Sequence, residues 1–470
     1  MLQSESVEEC GRRVTAAERF FAHSPFAIVT MVLRINGNVS EEMLRRAVSL
    51  VRQRHALLKV RIRTDADHAL WFTSEGVQEI PIEIVPRESE DEWIEIHAEA
   101  SRVPFSFETQ PAIRFILVQS ADRSEVIILC HHIICDGMSL AYLARDLMHH
   151  LGDPAREAKR LPAPPPIDLD NLPRDISQPG LVKFLIGRMN RKWAQEAVFF
   201  DQKDYEALTR TYWDHYHHDL LSIELSEAET TALVARCRTE QVTVNSALTA
   251  AFSGAQGFVQ GEKPYHAKTV IAADLRDRLP RSPGEGMGMY AGGAELNLKY
   301  DHKRGFWENA RRFHRRIQPG YSNKDLFSAI LNWLYLDPTI CEAMSFKKLG
   351  GLVPPDSPCY EKLSAFGARE DVVLNLLQRD NLDTLESKYW GTAVTNLGRL
   401  DFPRRYGALE LDRLIMQPGG GIPLANANLV LGAVTCSGKL SLVMEYAREA
   451  VDSAVMRRVK DKALQYLLEE

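Results

Sequence analysis

A proline-rich stretch interrupts the chain between two regions of mixed strand and helix pattern. Residues 161–166 read LPAPPP, and Pro173 and Pro179 follow shortly after. Proline lacks a backbone donor, so it is poorly tolerated in helix interiors and in central strands. We therefore predict that residues 153–180 form an extended crossover between two halves. A length of 470 residues favours the same division, because single hydrophobic cores rarely grow that large.

The composition is that of a globular protein. Hydrophobic residues make up 45% of the chain and charged residues 26%, which argues against bulk disorder. The net charge of −6 gives no general reason to expect nucleic acid or an anionic membrane as a partner, although it leaves room for a local basic patch. The first residues contain no apolar signal-like stretch, and no apolar run is long enough to cross a bilayer. We expect a soluble, cytoplasmic monomer without a transmembrane segment.

The seven cysteines are scattered and form no CxxC pair. That pattern is typical of reduced, mostly buried thiols in an intracellular protein.

Each half mixes strands and helices without strict alternation, which predicts an α+β fold. A division into residues 1–155, a crossover at 156–215 and a second half at 216–470 follows from the position of the prolines. Strands are predicted at 26–36, 57–63, 112–120, 125–131, 220–225 and 269–276, with a final pair within 425–446. Helices are predicted after Ser40 and Ser226, and at 138–151, 244–258, 306–316 and 449–469.

The most informative stretch is the end of the strand at 125–131. It runs directly into His131 and His132, and a short loop containing Asp136 and Gly137 then turns into a helix. An imidazole at such a junction is held rigidly where a pocket can open. Because histidine titrates near neutral pH, its neutral ring can accept a proton from an incoming nucleophile. Asp136 can cap the helix, or it can pair with a basic residue from elsewhere in the chain.

Residues 131–137, HHIICDG, resemble the HHxxxDG motif of the CoA-dependent acyltransferases. That superfamily includes chloramphenicol acetyltransferase, peptide-synthetase condensation domains, alcohol acetyltransferases and polyketide-associated acyltransferases. Further segments are similar in the same order: VTAAERFF (14–21), RHALLKVRIR (54–63), ADLRDRL (273–279), VTNLGRLDFP (394–403) and GAVTCSGKLSLVMEY (432–446). VTNLGRLDFP resembles the NxG-containing crossover strand of the alcohol acetyltransferases and the polyketide-associated members, and GAVTCSGKLSLVMEY resembles the paired strands near the family's end. The chain is closest in pattern to those two groups.

The resemblance implies two chloramphenicol-acetyltransferase-like subdomains, each a mixed sheet with helices, and a tunnel between them. Acyl donor and acceptor would meet at His132, the general base, with His131 packed behind it. Asp136 would form a structural salt bridge with an arginine of the second half. Arg276 is the first candidate for that partner, and Arg278 is the second.

The resemblance also implies roles for the donor side. Gly137 would allow the close turn and leave room for a pantetheine arm, while Thr395 and Asn396 are candidates for the tunnel wall or for oxyanion stabilisation. The co-substrate would be acyl-CoA or a phosphopantetheinyl carrier thioester, and the acceptor a small molecule. Thiolate leaves readily, so we expect no permanently bound cofactor, no metal and no covalent enzyme intermediate.

Other interpretations of the same residues are weaker. Adjacent histidines on a strand point to opposite faces, which disfavours a zinc site at 130–135. Cys135 lies next to a carboxylate, which disfavours a nucleophilic thiolate. The histidines at 215–218 indicate a solvated edge. The glycine runs at 284–288 and 419–421 indicate turns near the tunnel mouth. The basic helix at 306–316 indicates a solvated face, or a docking site for an acidic carrier protein or the CoA phosphates.

We therefore predict a stand-alone acyltransferase of lipid, polyketide or other secondary metabolism that acts on a hydroxyl or an amine. The segment at 401–407 does not match the DFGWG motif of the plant branch, which argues against that branch. One alternative is a free-standing condensation enzyme that forms an amide. Another is a non-catalytic relative that binds a carrier or a ligand.

Overall fold

The computed structural model of the chain describes residues 11–89, 91–318, 320–378, 391–419 and 427–469. These residues form two six-stranded sheets and one three-stranded sheet, with helices packed against them. Both large sheets contain parallel and antiparallel pairs. The predicted α+β class with two mixed sheets is confirmed.

The strands are numbered in the order in which they follow one another along the chain. They are β1 (Arg12–Arg13), β2 (Ile28–Asn36), β3 (Arg61–Thr64), β4 (Leu70–Thr73), β5 (Ile82–Pro86), β6 (Ile113–Gln119), β7 (Arg123–His131), β8 (His218–Glu224), β9 (Lys268–Asp274), β10 (Ala291–Asn297), β11 (Thr392–Leu400), β12 (Arg405–Tyr406), β13 (Leu409–Gln417), β14 (Val430–Cys436) and β15 (Lys439–Ala447).

The helices lie between and around these strands. They are α1 (Ala16–Arg19), α2 (Glu41–Arg54), α3 (Glu92–Arg102), α4 (Gly137–Gly152), α5 (Gly180–Glu196), α6 (Gln202–His215), α7 (Glu227–Thr239), α8 (Val244–Gln260), α9 (Phe306–Ile317), α10 (Asn323–Tyr335), α11 (Pro338–Leu349), α12 (Tyr360–Ala368), α13 (Val372–Gln378) and α14 (Ser453–Leu468).

Local sequence signals explain where several helices begin. The Ser40 hydroxyl accepts a hydrogen bond from the Met43 amide at the start of α2, and Ser226 forms a capping box with Glu229 at the start of α7. Both caps agree with the predictions from the sequence. The predicted strand at 57–63 is correct only for its second part, because residues 56–59 form a 3₁₀ turn and β3 begins at Arg61.

The first large sheet has the order β12-β13-β2-β7-β6-β5. β6 and β7 form the predicted antiparallel hairpin, and β2 pairs with β7 on the other side. Residues 126–130 of β7 are completely buried on both faces, as their apolar sequence predicts. β7 therefore lies in the middle of the sheet and delivers His131 and His132 from a rigid position.

The second large sheet has the order β10-β9-β11-β14-β15-β8. β11 pairs in parallel with both β9 and β14, and its register shifts between Asn396 and Arg399. The next strands of the chain, β12 and β13, leave this sheet and extend the first one, where β13 pairs with β2. The division at residues 155 and 215 stays a prediction, but residues 405–417 belong to the first sheet rather than to the second.

The proline-rich stretch lies between the two halves and is fixed to both. The Leu161 amide donates to the Arg54 carbonyl at 2.9 Å, and the Tyr290 hydroxyl donates to the Pro165 carbonyl at 2.7 Å. A single 3₁₀ turn at 169–171 interrupts the otherwise irregular backbone from 154 to 179. The rest of the predicted crossover is not extended, because residues 180–215 contain α5 and α6.

Buried ion pairs join the two large sheets. Arg34 on β2 contacts Glu125 at 2.6 Å and Glu224 on β8 at 2.7 Å, and Arg413 on β13 contacts Glu224 at 3.2 Å. The Gln417 amide donates to Glu445 at 2.7 Å in the same region. Buried charges of this kind are tolerated only when they are paired, so the contact fixes how the sheets meet.

Among the described residues, no helix is both long enough and apolar enough to cross a membrane.

Candidate active site

The two histidines of the motif lie at the end of β7, where the chain leaves the first sheet. His131 pairs with Ile28 in the β2–β7 ladder, and the His132 amide donates to the Ala27 carbonyl at 2.8 Å. The chain then turns through four residues to Asp136, and α4 begins at Gly137. The backbone of His132 is therefore anchored on the strand side and followed at once by a helix.

The Cys135 carbonyl orients the ring of His132, and the Pro418 carbonyl forms a second backbone hydrogen bond with it. Its Nδ1 lies 3.1 Å from the Cys135 carbonyl. A carbonyl oxygen can only accept, so Nδ1 carries the proton and Nε2 carries the free lone pair. Burial lowers the pKa of His132 below its usual value, although the Cys135 carbonyl, Asp136 and the Pro418 carbonyl act in the opposite direction. The ring is therefore neutral at physiological pH and can accept a proton at Nε2.

The side of the ring that bears Nε2 faces a glycine. Gly419 has φ +73°, and a Cβ atom built on it would lie 2.4 Å from the Ile28 carbonyl oxygen and 3.5 Å from His132 Nε2. Any other residue at this position would be strained and would collide with β2. Gly420 and Gly421, the rest of the predicted turn, lie outside the described residues.

An aromatic wall flanks the ring of His132. The Phe21 ring lies 4.9 Å from it, and Trp333 on α10 meets Phe21 edge-on at 6.4 Å and stacks on Phe20 at 4.1 Å. The sequence alone did not predict this wall. Its residues come from segments far apart in the chain, and only Phe20 and Phe21 belong to a segment, VTAAERFF, that the family resemblance includes.

Asp136 forms a buried salt bridge with Arg276. Arg276 Nη1 and Nη2 lie 2.9 Å and 3.1 Å from the two carboxylate oxygens, and the side chains are 4% and 3% exposed. The carboxylate also accepts from the Ser139 amide at 2.7 Å, which caps α4, and from the Tyr290 amide at 2.9 Å. Asp136 therefore makes both of the interactions considered for it, the helix cap and the salt bridge.

The pKa of Asp136 reflects this environment. Burial alone raises the pKa, but the charge and hydrogen bonds of Arg276, with the Ser139 and Tyr290 amides, outweigh it and hold the pKa below its usual value. The carboxylate therefore stays ionised and is not a proton donor. Arg278, the second candidate partner, contacts the Tyr321 carbonyl and Asn323 instead.

Arg276 has two further partners that the sequence did not predict. Its Nη2 donates to the Ser139 hydroxyl at 2.8 Å, and its Nη1 donates to Asp274 at 3.0 Å. The Ser139 hydroxyl in turn donates to the Gly288 carbonyl at 2.9 Å. Sequence spacing could have predicted both contacts. Ser139 lies three residues after Asp136, which caps the helix, and Asp274 lies two residues before Arg276.

A small cavity opens beside Gly137, between the two halves. Its volume is about 120 Å³, and it is lined by Asp136, Gly137 and Met138 from the first half and by Ala272, Ala273, Asp274, Arg276, Ala291, Thr395, Asn396 and Leu397 from the second. The two oxyanion candidates, Thr395 and Asn396, thus lie on this cavity. The Asn396 side chain accepts from the Gly398 amide at 2.8 Å and reaches Asn245 at 3.4 Å.

The absence of a side chain at Gly137 matters for this cavity. A Cβ atom there would lie 2.9 Å from Leu397 Cδ2 and 3.1 Å from Met416 Sδ. Both neighbours are the ends of flexible side chains, so they form a movable wall rather than a fixed one. The register shift of β11 at Asn396 and the positive φ of Gly398 place Leu397 in this wall.

His131 is enclosed by the first half. Its Nε2 lies 3.1 Å from the Ser24 carbonyl, and Phe107 meets the ring edge-on at 5.0 Å. Burial lowers the pKa of His131 to about 3, so the ring is neutral. Burial also raises the pKa of the Cys135 thiol well above its usual value, which makes a thiolate nucleophile unfavourable.

The remaining candidate motifs lie in structural contacts. His217 and His218 contact Glu449 and Glu445, and His215 Nδ1 lies 2.8 Å from the Thr211 carbonyl. On the basic helix α9, Arg311 pairs with Glu240, and Arg312 lies 3.8 Å from Asp301. In the described part of the chain, no group of three or more His, Cys, Asp and Glu residues is arranged to hold a metal ion.

Comparisons with known proteins match stretches of both halves of the chain. Residues 6–165 match the family model of the Condensation domain, and residues 217–321 match that of the Phthiocerol/phthiodiolone dimycocerosyl transferase C-terminus. The first part of the chain thus matches condensation domains, and part of the second half matches an acyltransferase family. The first match contains the HHxxxDG-like motif with His132, and the second contains Arg276.

Individual known proteins resemble the chain at low identity or over a short stretch. Nonribosomal peptide synthetase agiA of Aspergillus flavus is 30% identical over 134 residues, which are 26% of this chain and only 2% of that protein. The TRI3 trichothecene 15-O-acetyltransferase of Fusarium sporotrichioides has 13% identity and a TM-score of 0.61, covering 97% of this chain and 94% of that one. Polyketide synthase associated protein 5 of Mycobacterium tuberculosis has 14% identity and a TM-score of 0.58, covering 97% and 98%. The two structures share the fold of both halves.

Proposed function

We propose that the protein transfers an acyl group from a CoA or acyl-carrier-protein thioester to a hydroxyl group, with His132 as the general base. The observation that carries this proposal is the orientation of the His132 ring. Its Nδ1 proton is directed to the Cys135 carbonyl, which leaves the lone pair of the neutral ring on Nε2.

The proposed reaction uses Nε2 twice. Nε2 takes the proton of the acceptor hydroxyl while the hydroxyl oxygen attacks the thioester carbonyl carbon. The resulting tetrahedral oxyanion collapses, a carbon–oxygen bond remains, and the carbon–sulfur bond breaks. The protonated imidazole then returns its proton to the departing thiolate. Thr395 and Asn396 are the proposed donors to the oxyanion, and their place on the cavity beside Gly137 supports that role.

A hydroxyl acceptor is supported by the pattern of the second half. Residues 217–321 match a transferase C-terminus, and the segment at 394–403 resembles the crossover strand of alcohol acetyltransferases. The TRI3 relative is named as an O-acetyltransferase. We propose that the donor arm enters along Gly137 and that the acceptor lies against the wall of Phe21 and Trp333. Lipid, polyketide or other secondary metabolism is the proposed setting.

Amide formation is the second candidate. The match of residues 6–165 to the Condensation domain and the similarity to a peptide synthetase favour it. The base would be the same, but the donor would be carrier-bound and the acceptor an amine.

A donor and acceptor screen tests both candidates. The purified protein is incubated with acyl-CoA donors or with an acyl-loaded carrier protein, together with alcohol or amine acceptors. Thiol release gives the rate, mass spectrometry identifies the product, and a His132→Ala variant serves as the blank. Ester production supports the proposal. Amide production alone favours the second candidate, and thiol release equal to that of the blank with every pair contradicts both.

The donor side gives a prediction for Gly137→Ala. The new methyl group must displace Leu397 and Met416, and overpacking of this kind costs about 1–3 kcal/mol. If the displaced side chains enter the donor path, the KM for the thioester rises about tenfold or more, with a smaller effect on the KM of the acceptor. Steady-state kinetics with each substrate varied in turn measure the two constants.

Gly187→Ala is the matched control for this variant. Gly187 is also a helical glycine, but a Cβ atom built on it meets nothing within 4 Å. Its kinetic constants are expected to equal those of the wild type. An unchanged donor KM in Gly137→Ala would argue against a donor path beside this residue.

The lowered pKa of His132 gives a prediction for the pH profile. The base works only when it is neutral, so activity is lost as the pH falls through its pKa. Because that pKa lies below the usual 6.5, the acid limb of kcat/KM is expected below pH 6.5. Rates measured from acid to neutral pH with a thioester that does not itself titrate there provide the check. An acid limb centred above neutral pH would contradict the assignment of His132.

A further inference from the structure

The outer face of α5 exposes three large apolar side chains next to one another. Leu181, Phe184 and Leu185 are 71%, 57% and 50% exposed, and their spacing places them on one side of the helix. The opposite side is buried, where Trp193 packs inward and donates to the Thr339 hydroxyl at 2.7 Å. The helix is therefore held firmly by the protein while its apolar end faces solvent. A cluster of this kind indicates a contact surface.

Three cations continue the same face toward the end of α5. Arg188, Arg191 and Lys192 are exposed, and helical spacing aligns them with the three apolar residues. Within the part of the chain that the structure describes, none of the three forms an ion pair. This contrasts with α9, where Arg311 and Arg312 face Glu240 and Asp301. The chain as a whole carries a net charge of −6, so the face is a local exception.

We propose that this face of α5 docks the protein onto the surface of an anionic phospholipid bilayer. Leu181, Phe184 and Leu185 enter the boundary between headgroups and acyl chains, and the three cations lie on the lipid phosphates. An apolar end followed by a cationic stripe on a convex helix fits a fluid anionic surface, which needs no matching pocket. An acidic protein partner would satisfy the cations but would need a groove for the three apolar side chains.

The docked orientation has a consequence for the active site, and this part rests on the proposed function. α5 packs against α10, and α10 carries Trp333 in the aromatic wall beside His132. The bilayer would therefore lie on the outer side of α5, with α10 and its Trp333 packed on the inner side. A lipophilic alcohol dissolved in the membrane is the acceptor class that this arrangement fits.

Vesicle co-sedimentation tests the docking without any catalysis. The full chain is mixed with vesicles of phosphatidylcholine alone, or of phosphatidylcholine and phosphatidylglycerol in equal amounts. Binding is expected to the anionic vesicles, to weaken with salt, and to be minimal with phosphatidylcholine alone. Leu181→Ser/Phe184→Ser/Leu185→Ser and Arg188→Gln/Arg191→Gln/Lys192→Gln are each expected to lower the partition coefficient about 10²-fold.

The matched control is Phe258→Ser. Phe258 on α8 is 62% exposed, and Lys462 Nζ lies 4.8 Å from the centroid of its ring. This variant is expected to bind like the wild type, and thermal melts confirm that all variants are folded. Equal binding to both vesicle types, unchanged binding by both triple variants, or binding to an acidic carrier protein but not to vesicles would overturn the proposal. Vesicle binding without acyl transfer would leave the docking intact and remove the proposed function.

Discussion

Replacing His132 by alanine or asparagine is expected to lower turnover at least ~10²-fold, the usual contribution of a general base. Neither side chain can take the acceptor proton, so the hydroxyl must attack without that assistance. The ring forms hydrogen bonds with the backbone carbonyls of Cys135 and Pro418, and the His132 amide still donates to Ala27 in either variant. We therefore expect the fold to be kept. Thiol release under saturating donor and acceptor measures the loss.

Two further measurements separate a base from a residue that only supports the structure. The residual activity of His132→Ala should lose the acid limb that the wild type shows, because the titrating group is gone. His217→Ala is the control, since that side chain is 45% exposed and pairs with the surface residue Glu449. Turnover within a few-fold of the wild type in His132→Ala would contradict base catalysis by His132. If His132→Ala loses the folded state, the turnover of His132→Asn tests the same proposal.

Asp136→Ala is expected to have the largest effect on stability. It leaves the guanidinium of Arg276 buried without its main partner, and breaking a buried pair in this way costs about 3–5 kcal/mol. It also removes the cap of α4 and an acceptor for the Tyr290 amide. Soluble yield and activity should fall together. Urea unfolding monitored by fluorescence gives the free energy of unfolding.

The exposed pair of Arg399 and Asp401 provides the control for Asp136. Its side chains are 78% and 79% exposed, so Asp401→Ala should change the free energy of unfolding by only about 0–1 kcal/mol. The double variant Asp136→Ala/Arg276→Met should be more stable than the sum of the two single changes predicts, because no charge is left buried. Full stability and activity in Asp136→Ala would refute a structural role for the salt bridge.

Short-range features of the fold were predictable from the sequence. The hairpin of β6 and β7, the helix after Ser40 and the capping box at Ser226 depend on residues close together in the chain. The 3₁₀ turn at 56–59 was not predicted, because the apolar run there resembles a strand. Leu57 and Leu58 are both buried in the structure. In a strand these neighbours would point to opposite faces, whereas the tight turn directs both into the core.

Long-range features were less accessible. Arg276 as the partner of Asp136 came from the family pattern, since nothing local indicates a contact across 140 residues. Phe21 and Trp333 meet beside His132 only because α1 and α10 pack together, and no periodicity encodes that contact. The helices α5 and α6 were not predicted, because the prolines before them indicated an irregular crossover. Asp201 and Asp204 nevertheless form a capping box that marks the start of α6.

The path of β13 has a consequence for how such chains can be divided or recombined. A fragment that stops before residue 400 would leave the backbone N–H and C=O groups of β2 unpaired along one side, and an open edge of this kind invites aggregation. The second half alone would in turn carry β12 and β13 without the first sheet, and their apolar side chains would be exposed. Exchange of halves between relatives therefore succeeds only when residues 405–417 travel with the amino-terminal sheet they complete.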